Sequence, residues 1–178
     1  PFAVRARVCL LRDLGSALAP DNAFAIIQGL ETVALRMKQH CENAEKVVNF
    51  LKKHKEVTKV IYSTEHEKKI ADRAKQYLKN GNGPMVGIEL KGGIEAGKKF
   101  IESLKMFYHV ANIGDARSLA IHPASTTHSQ LNEKELAASG VTQSYVRLCI
   151  GIEHIDDILD DLDQALNKSS KGSLKAVS

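Results

Sequence analysis

Apolar residues along this chain fall into two periods, steps of three and four in some stretches and strict alternation in others. The first stretch, residues 1 to 19, carries Val8, Leu11 and Leu14 at steps of three, a helical run that Gly15-Ser16 and then Ala19-Pro20 bring to an end. Asp21 or Asn22 is placed to cap a second helix by accepting from free backbone N–H groups. In that helix Ile27, Leu30, Ala34, Met37, Cys41, Ala44, Val48 and Leu51 keep alternating steps of three and four, so one apolar stripe is expected from Ile27 to Leu51. Lys52-Lys53-His54-Lys55 suits the negative C-terminal end of its dipole. A stripe of this kind serves as a coiled-coil seam, or as the packed face of a long helix that bridges two domains or lies along a sheet; the second reading is preferred. Gly29 on the stripe's flank implies the close approach of another backbone.

Beyond residue 56 the period switches repeatedly. Val57 to Tyr62 is a short β-rich segment, Glu65 to Leu78 a charged amphipathic helix, and Asn80-Gly81-Asn82-Gly83-Pro84 a turn. Met85 to Lys91 alternates, with Val86, Ile88 and Leu90 on one face and Met85, Gly87 and Glu89 on the other. Gly92-Gly93 leads into a helix from Ile94 to Leu104, and a strand follows around Phe107 to Ala111. Val110 to Gln130 is nearly aperiodic. Its short polar residues bracket one apolar run, Leu119 to Ile121, in the manner of a binding loop. Asn132 is the expected cap of a short helix to Ala138, with Glu133 and Glu135 in its first turn. Tyr145 to Ile152 alternates again: Val146, Leu148, Ile150 and Ile152 share one face, and Arg147, Cys149 and Gly151 share the other. The last helix, Ile155 to Leu166, is expected to bury Ile155, Ile158, Leu159, Leu162 and Leu166. Asp156, Asp157, Asp160, Asp161 and Asp163 read as its solvated outer face rather than as a metal site. The expected fold class is α/β, a small, largely antiparallel sheet with helices on one side.

Composition narrows the function classes. The chain of 178 residues is 43% hydrophobic and 26% charged, ordinary for a globular protein. A net charge of +4 with mixed signs implies no nucleic-acid or anionic-membrane partner. No apolar run has the length of a membrane span, and the start carries no signal-peptide pattern. Three cysteines, Cys9, Cys41 and Cys149, are widely spaced with no CxxC, which points to a reduced, cytoplasmic setting. The first residue is Pro1 rather than methionine, as expected of a piece of a longer chain.

Arg147 is the leading candidate for chemistry, because it stands mid-strand among apolar and small residues. Left buried and unpaired it would be costly, and its fork matches a carboxylate or phosphate through two charge-assisted hydrogen bonds. An internal ion pair with one of the many Asp or Glu residues would satisfy it equally well. Seven histidines, His109, His122 and His128 among them, have no carboxylate or cysteine at ligand spacing, so structural or turn roles are favoured and no metal is expected. Ser125-Thr126-Thr127 could hold an anion through hydroxyls and turn amides, or satisfy its own backbone. No glycine-rich phosphate loop, nucleophile elbow or paired-carboxylate motif is present. The residues by themselves describe an acid-binding pocket without a catalyst.

Five motifs add a resemblance. They are Arg12-Asp13-Leu14-Gly15; Gln28-Gly29-Leu30-Glu31-Thr32 with Leu35-Arg36-Met37; Ile113-Gly114-Asp115-Ala116-Arg117-Ser118-Leu119; His122-Pro123-Ala124-Ser125-Thr126-Thr127-His128; and Val146-Arg147-Leu148 with Gly151-Ile152-Glu153. In order and spacing, over essentially the whole chain, they resemble the Cys/Met-metabolism family of pyridoxal-phosphate enzymes. The run from Asn112 to Leu119 looks like its O-acetylhomoserine sulfhydrylases, since γ-lyases and cystathionine synthases usually have serine where Asn112 stands. The resemblance implies the C-terminal portion of a fold-type I enzyme. A helical segment and long linker helix from the large domain would occupy 1–54 and the small α/β domain 55–168, while the Ser/Lys/Gly-rich composition of the end of the chain reads as a flexible tail, 169–178. The resemblance implies γ-replacement, in which sulfide displaces the acetate of O-acetyl-L-homoserine to give homocysteine, with the cofactor ring as electron sink. Arg147 matches the arginine that binds the substrate α-carboxylate, Asn112 the position that assists there, and Thr127 a threonine lining the same pocket. The cofactor lysine, the phosphate-binding turn, the stacking tyrosine and the aspartate facing the pyridine nitrogen lie upstream in the family and have no match here. Pyridoxal 5'-phosphate is therefore expected in the full-length enzyme, a homotetramer, and not on this chain alone, which is expected to be inactive. The alternatives are another transsulfuration enzyme (cystathionine γ-synthase or methionine γ-lyase), a non-catalytic amino-acid-binding module, or an oligomerisation domain.

Overall fold

The computed structural model describes residues 1–170 and divides the chain into two units, Pro1–Leu35 and Arg36–Ser178. Most of the tail expected over 169–178 therefore lies outside the described residues.

In the first unit Phe2–Arg5 (α1) continues through a π-helical stretch, Ala6–Leu11, into Arg12–Leu14 (α2), and the chain turns out at Gly15. The next helix, Pro20–Glu31 (α3), is not capped by Asp21 or Asn22. Ala19 is the N-cap and Pro20 fills the first turn, where a missing N–H costs nothing. The single long helix expected from here is in fact two. Thr32 leaves helical geometry (φ −112°, ψ 5°), and Val33–Leu51 (α4) begins after it. Two β-branched residues in succession, Thr32 and Val33, make this the weak point of the run. The stripe divides with the helix: Cys41, Ala44, Val48 and Leu51 are buried, while Ile27 and Leu30 are exposed. A Cβ at Gly29 would meet nothing within 4 Å, so the expected close approach is not observed.

The second unit is built on a five-stranded sheet: Val57–Ile61 (β1), Met85–Leu90 (β2), Tyr108–His109 (β3), Leu119–Ile121 (β4) and Tyr145–Cys149 (β5). The strands stand in the order β1-β2-β5-β4-β3. All neighbours are antiparallel except β3 and β4, which run parallel. The register sorts the side chains. Val86, Leu148 and Ala120 form one cross-strand row, and Gly87, Arg147 and Ile121 form the next on the opposite face. The first face is covered by α4, by Gly93–Ser103 (α6) and by Ile155–Ser169 (α8). Val47, Leu51, Phe100, Leu162 and Leu166 meet Val86, Ile88, Val146 and Leu148 in one core. Each such side chain contributes roughly 1.5–3 kcal/mol when fully buried. Two shorter helices complete the unit, Lys68–Tyr77 (α5) and Glu133–Ala138 (α7). The α7 helix carries the capping box expected of it, with Asn132 accepting from Lys134 and Glu135 amides while Glu135 reaches back to the Asn132 amide.

Polar side chains fix the joints between these layers. The buried His40 of α4 bonds the Ile150 carbonyl through Nδ1 (2.6 Å), and Asn43 Nδ2 donates to the carbonyls of Gly151 (3.1 Å) and Glu153 (2.9 Å). At α8 the expectation of a fully solvated acidic face fails at one position. Asp161 is buried, and its carboxylate accepts the successive backbone amides of Lys105 (2.9 Å), Met106 (2.8 Å) and Phe107 (3.3 Å). Three converging N–H dipoles compensate the charge where no cation among the described residues does.

Candidate functional site

Arg147 projects from the face of β5 that the helices leave open, and its surroundings follow from the strand pairing. Gly87 on β2 is its Cα partner and presents no side chain, and Ile121 on β4 is its partner on the other side. The reason for glycine there is steric. A Cβ at Gly87 would lie 2.6 Å from Cε2 and 2.9 Å from the hydroxyl of Tyr145, whose ring lies across that strand. The result is a cleft of about 230 Å³ lined by Ile61, Tyr62, Ser63, His66, Met85, Val86, Gly87, Tyr145 and Arg147.

The guanidinium is half-buried and forms no salt bridge or side-chain hydrogen bond among the described residues. The internal ion pair that the sequence allowed is therefore not made, and the fork remains open toward the cleft. Burial pushes the Tyr145 phenol up from its ordinary range, and the positive charge of Arg147 pulls it back.

The other two candidates stand on loops. Asn112 is exposed, with its side-chain oxygen accepting the Ile113 amide (2.9 Å). Two residues on, the Gly114 amide donates to Cys149 Sγ (3.4 Å), which brings this loop to the strand that carries Arg147. Thr127 is exposed, and its hydroxyl bonds His128 Nδ1 (2.8 Å). Neither Asn112 nor Thr127 lines the Arg147 cleft, and no hydrogen bond joins the three.

Two residues with reactive side chains, His122 and Cys149, are held out of chemistry. His122 is buried, with Nε2 on the Gln143 carbonyl (2.8 Å) and Nδ1 on the Ser125 hydroxyl (2.8 Å). Burial lowers its pKa, against the opposing pull of the Gln143 carbonyl, so it stays neutral. The 125–127 stretch largely serves its own backbone, as Thr126 and Ser125 both turn back to the His122 carbonyl. Burial raises the Cys149 thiol, which the Gly114 amide and Arg147 only partly offset, leaving an inert thiol rather than a nucleophile. Among the described residues no group of His, Cys, Asp and Glu is arranged to hold a metal ion, and no helix is long and apolar enough to cross a membrane.

Residues 3–167 match the family described as Cys/Met metabolism PLP-dependent enzyme. The chain belongs to that family.

Among Cys/Met-metabolism relatives, it is 53% identical over 166 residues to an O-acetyl-L-homoserine sulfhydrylase of Leptospira meyeri, covering 93% of this chain and 38% of the relative. It is 42% identical over 159 residues to an L-methionine gamma-lyase of Fusobacterium nucleatum subsp. polymorphum, covering 89% of this chain and 40% of that one. A crystal structure of a candidate O-acetylhomoserine (thiol)-lyase from Campylobacter jejuni, containing N'-pyridoxyl-lysine-5'-monophosphate, superimposes with a TM-score of 0.85 at 44% identity, covering 93% of this chain and 39% of that chain. The chain thus spans about two fifths of the length of its relatives. Pyridoxal phosphate is the family's cofactor, yet the Arg147 cleft does not fit it. No lysine lines the cleft to bind the aldehyde, and no Asp or Glu lines it to face a pyridine nitrogen. Sequence reasoning found Arg147 but missed Gly87 and Tyr145; a lone glycine in an alternating strand was the available signal, since it marks a close approach.

Proposed function

We propose that this chain is the C-terminal portion of an O-acetyl-L-homoserine sulfhydrylase, which makes homocysteine from O-acetyl-L-homoserine and sulfide, and that it supplies the pocket for the substrate's α-carboxylate. The observation that carries the reading is a half-buried guanidinium with no acceptor among the described residues, open to a cleft on the face of the sheet that the core helices leave free. A carboxylate is the planar, two-oxygen anion that such a fork binds in two parallel hydrogen bonds. In this proposal Arg147 anchors the substrate, and Asn112 and Thr127, whose loops stand outside the Arg147 cleft of this chain, join the same pocket in the complete enzyme. The lysine and phosphate site of the cofactor belong to the portion of the relatives that this chain does not span, so the chain alone is catalytically silent. The complete enzyme is a cytoplasmic homotetramer.

The test is to assemble the chain with the upstream portion of the Leptospira meyeri relative and to measure homocysteine formation from O-acetyl-L-homoserine and sulfide. Activity is expected in the assembled protein, with KM for O-acetyl-L-homoserine raised on the order of 100-fold in Arg147→Ala. An unchanged KM would remove Arg147 from the substrate site. The chain alone, mixed with pyridoxal phosphate, is expected to give no lysine-dependent Schiff-base absorbance. A second reading, a methionine γ-lyase, is favoured by the Fusobacterium relative. Faster consumption of L-methionine than of O-acetyl-L-homoserine would select it.

A further inference from the structure

Two polar groups open into the Arg147 cleft without partners among the described residues, the guanidinium and the hydroxyl of Tyr145. Their proximity follows from register. Tyr145 and Arg147 are two apart on β5 and share a face, and the Tyr145 hydroxyl would stand 2.9 Å from a Cβ on Gly87, the Cα partner of Arg147. The phenol is thus laid back along the sheet over the residue opposite the arginine. A ring placed there only for packing would be served as well by phenylalanine. The hydroxyl is not sealed from solvent, so the water on it is what a bound ligand would displace. The cleft's other polar lining is already engaged or exposed: Ser63 donates to Asn82 Oδ1 (2.9 Å), Tyr62 donates to the Gly83 carbonyl (2.9 Å), and His66 is exposed at the rim. At about 230 Å³ the cleft has room for roughly seven or eight waters, the scale of a small amino acid.

We infer that Tyr145 is a second binding group of this cleft, its hydroxyl donating to the same ligand carboxylate that the Arg147 guanidinium forks. The inference rests on the reading of Arg147 as the carboxylate anchor and adds to it a neutral third donor. Gly87 has a role in this arrangement through Tyr145, as the bare stretch of strand that lets the ring lie flat.

The probe is L-homoserine, titrated into the 178-residue chain while the Arg147 Nε–H resonance is followed by NMR. The wild-type chain is expected to show a saturable shift. Tyr145→Phe, which keeps the ring and removes only the hydroxyl, is expected to weaken binding about tenfold with the thermal unfolding midpoint unchanged. Gly87→Ala, which keeps the hydroxyl but displaces the ring, is expected to weaken it similarly. If Tyr145→Phe binds as tightly as the wild type while Arg147→Gln abolishes the shift, the role of Tyr145 is overturned and the carboxylate anchor stands. If the wild-type chain shows no saturable shift, or Arg147→Gln leaves it intact, the anchor itself falls and the inference with it.

Discussion

At the scale of single residues, the side chains that matter most are those whose partners lie far away in sequence. Asp161 is the strongest example, a buried carboxylate neutralised by backbone amides more than fifty positions upstream. Asp161→Ala leaves three amides without their acceptor and is expected to lower the unfolding free energy by about 3 kcal/mol, measured by urea denaturation. His122 makes a pH-dependent prediction. Its folded pKa is lowered, chiefly by burial, so the unfolded chain binds the extra proton first as pH falls. Its contribution to stability is therefore fully present above the unfolded value of about 6.5 and is lost as pH drops below it. Proton NMR is expected to place the His122 ring transition below that value, and a transition at or above it would contradict the neutral assignment. The structural role expected of His122 is what the structure shows, whereas the role of Asp161 was not legible beforehand. Asp161 sits in a run of five aspartates that pattern alone cannot tell apart, and a backbone nest at residues 105–107 leaves no composition signal. Arg147 was legible because a lone charge in an alternating strand has to be accounted for. Tyr145 and Gly87 were not, because their meeting depends on the pairing of β2 with β5.

At the scale of elements, the alternating strands and the amphipathic helices were readable because each buries one face, and burial imposes a period. The break at Thr32 was not, since the apolar stripe continues through it without a missed step. Close packing of α6 against the 122–125 turn gives the element-scale prediction. A Cβ at Gly97 would collide with the His122 ring, whose two nitrogens are already committed to the Gln143 carbonyl and the Ser125 hydroxyl. Alanine is the better helix former by about 1 kcal/mol, yet Gly97→Ala is expected to destabilise by roughly 1–3 kcal/mol, because the ring cannot move without breaking those bonds. A rise in the thermal midpoint of this variant would show that propensity outweighs packing here.

At the scale of the whole chain, the two units differ in how well they cover their apolar surface. The second has a continuous buried core. In the first, Phe2, Val8, Leu11, Leu14, Phe24, Ile27 and Leu30 are all exposed. An exposed apolar surface of that extent drives association. Sedimentation of the chain is expected to show concentration-dependent self-association that is lost when Pro1–Leu35 is removed, with the circular dichroism of the remaining residues still that of a folded α/β unit. The bonds from His40 and Asn43 to Ile150, Gly151 and Glu153 have a consequence for the anchor as well. They grip the chain from three residues past Arg147, where the Ile150 amide also donates to the Pro84 carbonyl (2.9 Å) and the Gly151 amide to Ser118 Oγ (2.8 Å). Helix α4 is therefore one of three elements that fix where β5 ends, and with it the point on the sheet from which the guanidinium starts.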